Sequence, residues 1–259
     1  MRIDLHNHTP LCNHANGSMN DYVLRAIELG IDVYGFSDHA PMSFDPKYRM
    51  TFEQKRSYEK EVSHLKEQYK NQIKILLGYE VDYLGNHISK EVMDTKVDYF
   101  IGSVHFIHEW GFDNPEFIGV YKDKDIDLIW QEYFDAIEQM AKSNLFDIVG
   151  HIDLIKVFNF MPKKNIKEIV KPALKQIKKS NMVLELNPAG LRKPVKEQYP
   201  SCDILELAYE LNIPITFGSD AHEIEQVGFQ YDTVSSLAKK IGYTKCATFE
   251  NRDRHLVTF

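Results

Sequence analysis

The chain has 259 residues, 43% hydrophobic and 27% charged, an ordinary balance for a globular protein, and no apolar run approaches the roughly 20 residues of a membrane span. The start, MRIDLHNHTP, lacks a signal-peptide pattern, and Cys12, Cys202 and Cys246 show no paired spacing, so a reduced, cytoplasmic protein is expected. The net charge of −7 offers no basic stripe beyond the solvated lysines of 163–179, which argues for a small substrate over long nucleic acid.

Seven apolar segments of strand length recur along the chain, separated by helix signals. Ile3–His6 comes first, followed by a helix that Asn20 can cap, with Val23, Ala26 and Ile27 on one face and Gly30 near its end. Asp32–Phe36 precedes a long charged helix opened by the capping-box pair Thr51 and Gln54. Ile73–Tyr79 and Tyr99–Val104 follow. Asp125 then opens a helix that carries Ile129, Tyr133, Ile137 and Met140 at helical spacing. Asp147–Val149, a helix opened by Asn165 and Glu168, Val183–Leu186, a helix behind Ser201, and Ile213–Phe217 complete the series. The segment 245–259 is open between a last short strand and a tail.

The strand runs are near-continuous, as parallel strands covered on both faces should be. With helices between them they predict an α/β fold, a seven-stranded β/α barrel forming one domain over 1–259.

Residues that can hold metal cluster at the strand ends. His6 and His8 end the first strand, Asp38 and His39 the second, Glu80 the third, His105 the fourth, His151 the fifth, and Asp220 and His222 the seventh, with His14 in the first loop, whereas the sixth ends in Glu185-Leu186-Asn187. In a parallel barrel these ends share one face, where such folds keep their chemistry. His6 and His8 lie two apart, so both rings can reach one ion. Mixed imidazole and carboxylate ligation suits Zn, Mn or Fe. His64, His87, His108 and His255 fall outside the pattern, and Cys12 reads as an inert thiol.

HNH at 6–8, His14, SDH at 37–39, Glu80, GSVH at 102–105, GH at 150–151 and SDAH at 219–222 resemble, in order, the polymerase and histidinol phosphatase (PHP) superfamily. GSVHF at 102–106 and ELNPAGLRKPVKEQYPS at 185–201 are similar to its histidinol-phosphate phosphatase branch. The resemblance implies a distorted seven-stranded barrel, metal-bearing at the carboxyl ends of its strands, with three divalent ions. His6, His8, Glu80 and Asp220 would hold the first. Glu80, His105 and His151 would hold the second, and His14, His39 and His222 the third.

Three ions bring roughly +6, against about −3 from Glu80, Asp220 and a bridging hydroxide, which favours a phosphate monoester. The resemblance implies hydrolysis of L-histidinol phosphate in histidine biosynthesis, and in-line attack of that hydroxide is the expected route. Asp38 and His222 are the candidates to protonate the leaving alcohol. Arg192 is expected to fork onto phosphate oxygens, with Lys156 as a further phosphate contact. Glu109 and Asp113 could face the cationic end of the substrate, and Asp153 could orient His151 or cap a helix. The alternatives are a related phosphatase or phosphodiesterase acting on nucleotides or other small esters, and a non-catalytic metal-binding module.

Overall fold

The computed structural model describes residues 1–259, the side chain of Asn86 excepted. The elements are β1 (Ile3–Asp4), α1 (Met19–Glu28), β2 (Val33–Phe36), α2 (Phe52–Gln68), β3 (Lys74–Asp82) and α3 (Lys90–Met93). They continue as β4 (Tyr99–Ser103), β5 (Phe106–Ile107), β6 (Trp110–Gly111), α4 (Ile126–Lys142), β7 (Ile148–Val149) and α5 (Ile166–Lys179). The last are β8 (Val183–Leu186), α6 (Cys202–Glu210), β9 (Ile215–Phe217), α7 (Tyr231–Ile241), β10 (Lys245–Glu250) and β11 (Asp253–Thr258).

The helices start where polar side chains take up the free N–H groups of the first turn. Thr51 and Gln54 form both halves of a capping box on α2, and Asp125 and Asn165 cap α4 and α5. On α1 the cap is Ser18, which accepts from the Asp21 N–H at 3.1 Å, and not Asn20, whose side chain takes the Tyr69 hydroxyl. The apolar stripe of α5 (Ile169, Val170, Ala173, Leu174, Ile177) is buried, and its lysines face solvent. No helix among the described residues is long and apolar enough to cross a membrane.

The main sheet has nine strands rather than seven. The seven expected runs, β1, β2, β3, β4, β7, β8 and β9, pair in chain order and all in parallel. The sheet curls until the exit of β9 runs beside β1. There the Leu5 N–H donates to the Phe217 carbonyl at 2.8 Å, and Asn7 bridges Ala221. The two additional strands are the hairpin β10–β11, with β10 parallel to β9. Its turn reaches the amino-terminal ends of other strands: Arg252 bonds Asp147 at 2.9 Å and the Leu145 carbonyl at 2.8 Å. The Arg252 N–H meets the Asp98 carbonyl, and Glu250 pairs with Lys74. The hairpin thus crosses the floor of the curled sheet, opposite the end where the histidines gather.

Candidate metal centre

His14, His39, Glu80, His105, His151, Asp220 and His222 line a cavity of about 800 Å³ at the carboxyl ends of the parallel strands, and His6 and His8 are fully buried beside it. Glu80, at the end of β3, is its hub and is 1% exposed. One carboxylate oxygen lies 2.9 Å from His151 Nε2 and 3.6 Å from His105 Nε2. The other lies 3.0 Å from His39 Nδ1, 3.4 Å from His6 Nε2 and 3.6 Å from His8 Nε2. Asp220 stands 3.2 Å from His8 Nε2. Four groups have ligand atoms mutually within 4.8 Å: His6, His8 and Glu80; Glu80, His105 and His151; His14, His39 and His222; and His8, Cys12 and His222.

Five rings are aimed by a hydrogen bond from Nδ1. His6 donates to Glu185 at 2.6 Å, His105 to Asp82 at 2.6 Å, and His8 to Asp38 at 3.3 Å. His14 donates to the Cys12 carbonyl at 2.8 Å and His222 to the Asp220 carbonyl at 3.1 Å. A carbonyl or carboxylate acceptor places a proton on Nδ1, so Nε2 is the nitrogen that offers a lone pair to an ion once the ring is neutral. Gly218 makes the His6 contact possible, because a Cβ there would come within 2.2 Å of Glu185 Oε1 and 2.4 Å of His6 Cβ.

The fit to a divalent cation rests on atoms that the protein leaves without donors. Nε2 of His6, His8 and His222 and one oxygen of Glu80 are buried and have no hydrogen-bond partner among the described residues. Separations of 3.4–3.6 Å between such atoms match the edge, about 3.4 Å, of a tetrahedral shell at ~2.1 Å from an ion.

Electrostatics divides the rings into two kinds. Burial opposes charge on His6, His8 and His105, but the surrounding carboxylates outweigh it. His6 is raised well above the usual imidazole range by Glu185 and Glu80, His8 to about 9 by Asp220 and Asp38, and His105 to about 10 by Asp82 and Glu80. Burial, helped by the charge on His8, lowers His14 and His222. Burial lowers His39 too, against the pull of Glu80. The carboxylates of Glu80 and Asp220 are held well below their usual range despite burial, Glu80 chiefly by His39 and His6, Asp220 chiefly by His6 and His8.

Other expectations meet mixed outcomes. Asp38 is fully buried, outside the cavity wall, and accepts from His8, the His39 N–H and the Thr9 hydroxyl. Its oxygens are thus engaged in orienting His8 and the adjoining backbone, and it does not line the cavity in which a leaving group would lie. Lys156 is also fully buried; its ammonium is engaged by Asp153 at 2.8 Å, Glu197 at 2.6 Å and the Gln198 carbonyl at 2.8 Å, and it does not line the cavity. It has no donor left for phosphate. Asp153 serves that pair and accepts the Ser201 N–H, without touching His151.

Arg192 does line the cavity: Nη2 is tied to the carbonyls of Ser219 and Asp220 at 3.1 and 2.8 Å, while buried Nη1 has no partner among the described residues. Glu109 and Asp113 also line it, and burial raises the Asp113 carboxyl against the pull of His105. Cys12 comes near His8 and His222, but burial and the Asp38 charge push its thiol up. His64, His108 and His255 are exposed, and His87 is only part-buried.

Three carboxylates without an assigned role prove structural partners of the cluster. Glu185 holds His6 and the His151 N–H (2.7 Å), Asp82 holds His105, and Asp4 grips Ser219 through its N–H and hydroxyl, fixing the turn that bears Asp220. Glu185 stands at a strand end like the ligands, the one local signal that could have singled it out.

Residues 4–189 match the PHP domain family model, and residues 204–236 match the PHP-associated model. The chain belongs to the PHP family. Among PHP proteins, one from Deinococcus radiodurans with the name "Probable histidinol-phosphatase" is 37% identical, over 96% of each chain. The histidinol-phosphatase of Bacillus subtilis is 30% identical, over 88% of this chain and 96% of that protein. The crystal structure of the Lactococcus lactis histidinol phosphate phosphatase, complexed with Zn, L-histidinol and phosphate, superposes with a TM-score of 0.83 at 22% identity, covering 98% of both chains. That likeness shows that the PHP fold extends over nearly the whole chain.

Proposed function

We propose that this PHP protein is a metal-dependent phosphomonoesterase that hydrolyses L-histidinol phosphate to L-histidinol and phosphate. The convergence of nine ligand-capable side chains, seven lining one cavity and His6 and His8 meeting Glu80 beside it, carries the reading, together with relatives named for that activity. His6, His8, Glu80 and Asp220 would hold one divalent ion, Glu80, His105 and His151 a second, and His14, His39 and His222 a third, of Zn, Mn or Fe type. Bound ions supply Lewis acidity and a water acidic enough to furnish hydroxide near neutral pH. Residues 1–259 would work as one unit, since the end of β3 and the segments that follow β1, β2, β4, β7, β8 and β9 all contribute to the cavity.

The chain's own groups would do the rest. Glu80 presents one oxygen to each half of the cluster, so it fixes the spacing between them. Arg192, anchored through Nη2, offers Nη1 to a phosphoryl oxygen. Asp113 has no ion-pair partner among the described residues, and with Glu109 it would meet the ammonium of histidinol phosphate at the other side of the cavity. With Asp38 committed to His8, His222 remains in the cavity, where it would serve through Nε2 as a ligand.

The test is phosphate release by Zn- or Mn-loaded protein from L-histidinol phosphate, nucleoside monophosphates and an aryl phosphodiester. Histidinol phosphate should be preferred, and a chelator should abolish turnover. Preference for another ester would overturn the substrate, and full activity in chelator would overturn the metal centre.

A further inference from the structure

Two carboxylates, Glu80 and Glu185, each divide their oxygens between the same two histidines. Glu80 sets one oxygen 3.4 Å from His6 Nε2 and the other 2.9 Å from His151 Nε2. Glu185 repeats the pattern on other atoms of those residues: Oε1 accepts from His6 Nδ1 at 2.6 Å, and Oε2 accepts the main-chain N–H of His151 at 2.7 Å. The two rings are near neighbours, with centroids 5.7 Å apart and planes 30° from parallel. Glu80 thus faces the ligand nitrogens, and Glu185 holds the same residues away from them.

The strand places Glu185 for this task. It is the third residue of β8, and successive side chains on a strand point to opposite faces. Its neighbours Leu184 and Leu186 are fully buried on one face, which turns the carboxylate to the other, where His6 lies. Asn187 Nδ2 donates to Oε2 at 3.0 Å and completes its set of donors. Asn187 is itself pinned by two backbone hydrogen bonds exchanged with Tyr199, at 2.6 and 2.8 Å.

The charge of Glu185 is committed to the cluster. It is 1% exposed, and His6 is its one ion-pair partner among the described residues. Asp82, by contrast, has Arg49 as well as His105. A buried charge is costly to keep, and here no arginine or lysine compensates it. Its partners are a side chain assigned to the first ion and the backbone of a residue assigned to the second.

We propose that Glu185 is a positioning residue that couples the first and second ions, setting His6 and His151 against each other from outside the ligand shell. This rests on the reading of the site as a metal centre and is independent of the substrate.

The test loads the protein with NMR-active cadmium, so that each ion gives its own resonance, assigned through couplings to the histidine ring nitrogens. Wild type should show His6 bound through Nε2 with its proton on Nδ1. In Glu185→Gln the amide offers one acceptor to three donors and turns its own NH₂ towards one of them. The resonances of the ions held by His6 and by His151 should both shift, while that of the ion held by His14, His39 and His222 stays. In chelator competition those same two ions should each weaken about tenfold or more. Glu185→Asp keeps the charge but draws it back by one methylene; it should shift the same pair, and it serves if the glutamine variant does not fold. Asp82→Asn, which reaches only His105, should shift the second resonance alone.

Unmoved resonances in the Glu185 variants, or movement of the first alone, would overturn the proposal. A two-ion response to Asp82→Asn would assign the coupling to Glu80 and overturn it as well. Cadmium bound without histidine would overturn the metal centre, and this role with it.

Discussion

Asp82 accepts the Nδ1 proton of His105 at 2.6 Å on one oxygen, while Arg49 holds the other. The carboxyl is buried, yet Arg49 and His105 keep it ionised down to about 2. The ring that faces Glu80 is thus aimed by a charge that is itself anchored.

Asp82→Asn keeps the shape and an acceptor but removes that charge. Metal retention, followed by competition with a chelator, should weaken by about tenfold, the low end of what outer partners of metal-bound histidines contribute. Activity should recover at high metal concentration.

Glu80→Gln should be more damaging. It withdraws one carboxylate from both halves of the cluster, so the loss of turnover should exceed the ~10–100-fold typical of outer partners. Metal analysis of the purified variant should show fewer ions per chain than wild type.

Metal loading should release protons. His6, His8 and His105 are raised above the usual imidazole range, His8 to about 9 and His105 to about 10, so near pH 7.5 without ions they are protonated. An ion needs them neutral. Affinity should therefore rise with pH and level off once pH passes about 10. Calorimetric titration in two buffers of different ionisation enthalpy measures the release; identical heats would count against this account.

Asp113→Asn tests the cationic end of the substrate. A hydrogen-bonded charge pair contributes about 1.5–3 kcal/mol, so kcat/KM for histidinol phosphate should fall at least about tenfold. The value for an alkyl phosphate that lacks an amine should stay put. An equal fall for both esters would place Asp113 elsewhere in the mechanism.

Arg252→Met should cost stability and leave turnover alone. It removes the contacts to Asp147 and the Leu145 carbonyl, and with the arginine side chain 36% exposed the loss should be ~1–2 kcal/mol. Denaturant unfolding and kcat, measured on the same preparation, separate the two effects.

The candidate ligand set was legible because every member but His14 stands at the end of an apolar run, and parallel strands bring all such ends to one face. Orienting groups were harder to read. Glu185 finds His6 across 179 positions and Asp4 finds Ser219 across 215, and no local spacing announces either pair. Asp38 and Lys156 have the residue types of an acid catalyst and a phosphate contact, but packing turned one towards His8 and the other towards Asp153 and Glu197. The last hairpin escaped for a backbone reason. Its turn residues, Asn251 and Arg252, both have positive φ (51° and 71°), and arginine lacks the glycine signal that marks such turns.

The hairpin that crosses the floor has a practical corollary. Its anchors, Asp98, Asp147 and Lys74, stand at the amino-terminal ends of the strands whose other ends supply Glu80, His105 and His151. Robustness and reactivity therefore draw on separate pools of residues along the same strands. A library aimed at heat tolerance can be confined to the floor, where substitutions such as shorter turns or added ion pairs leave the ligand geometry untouched.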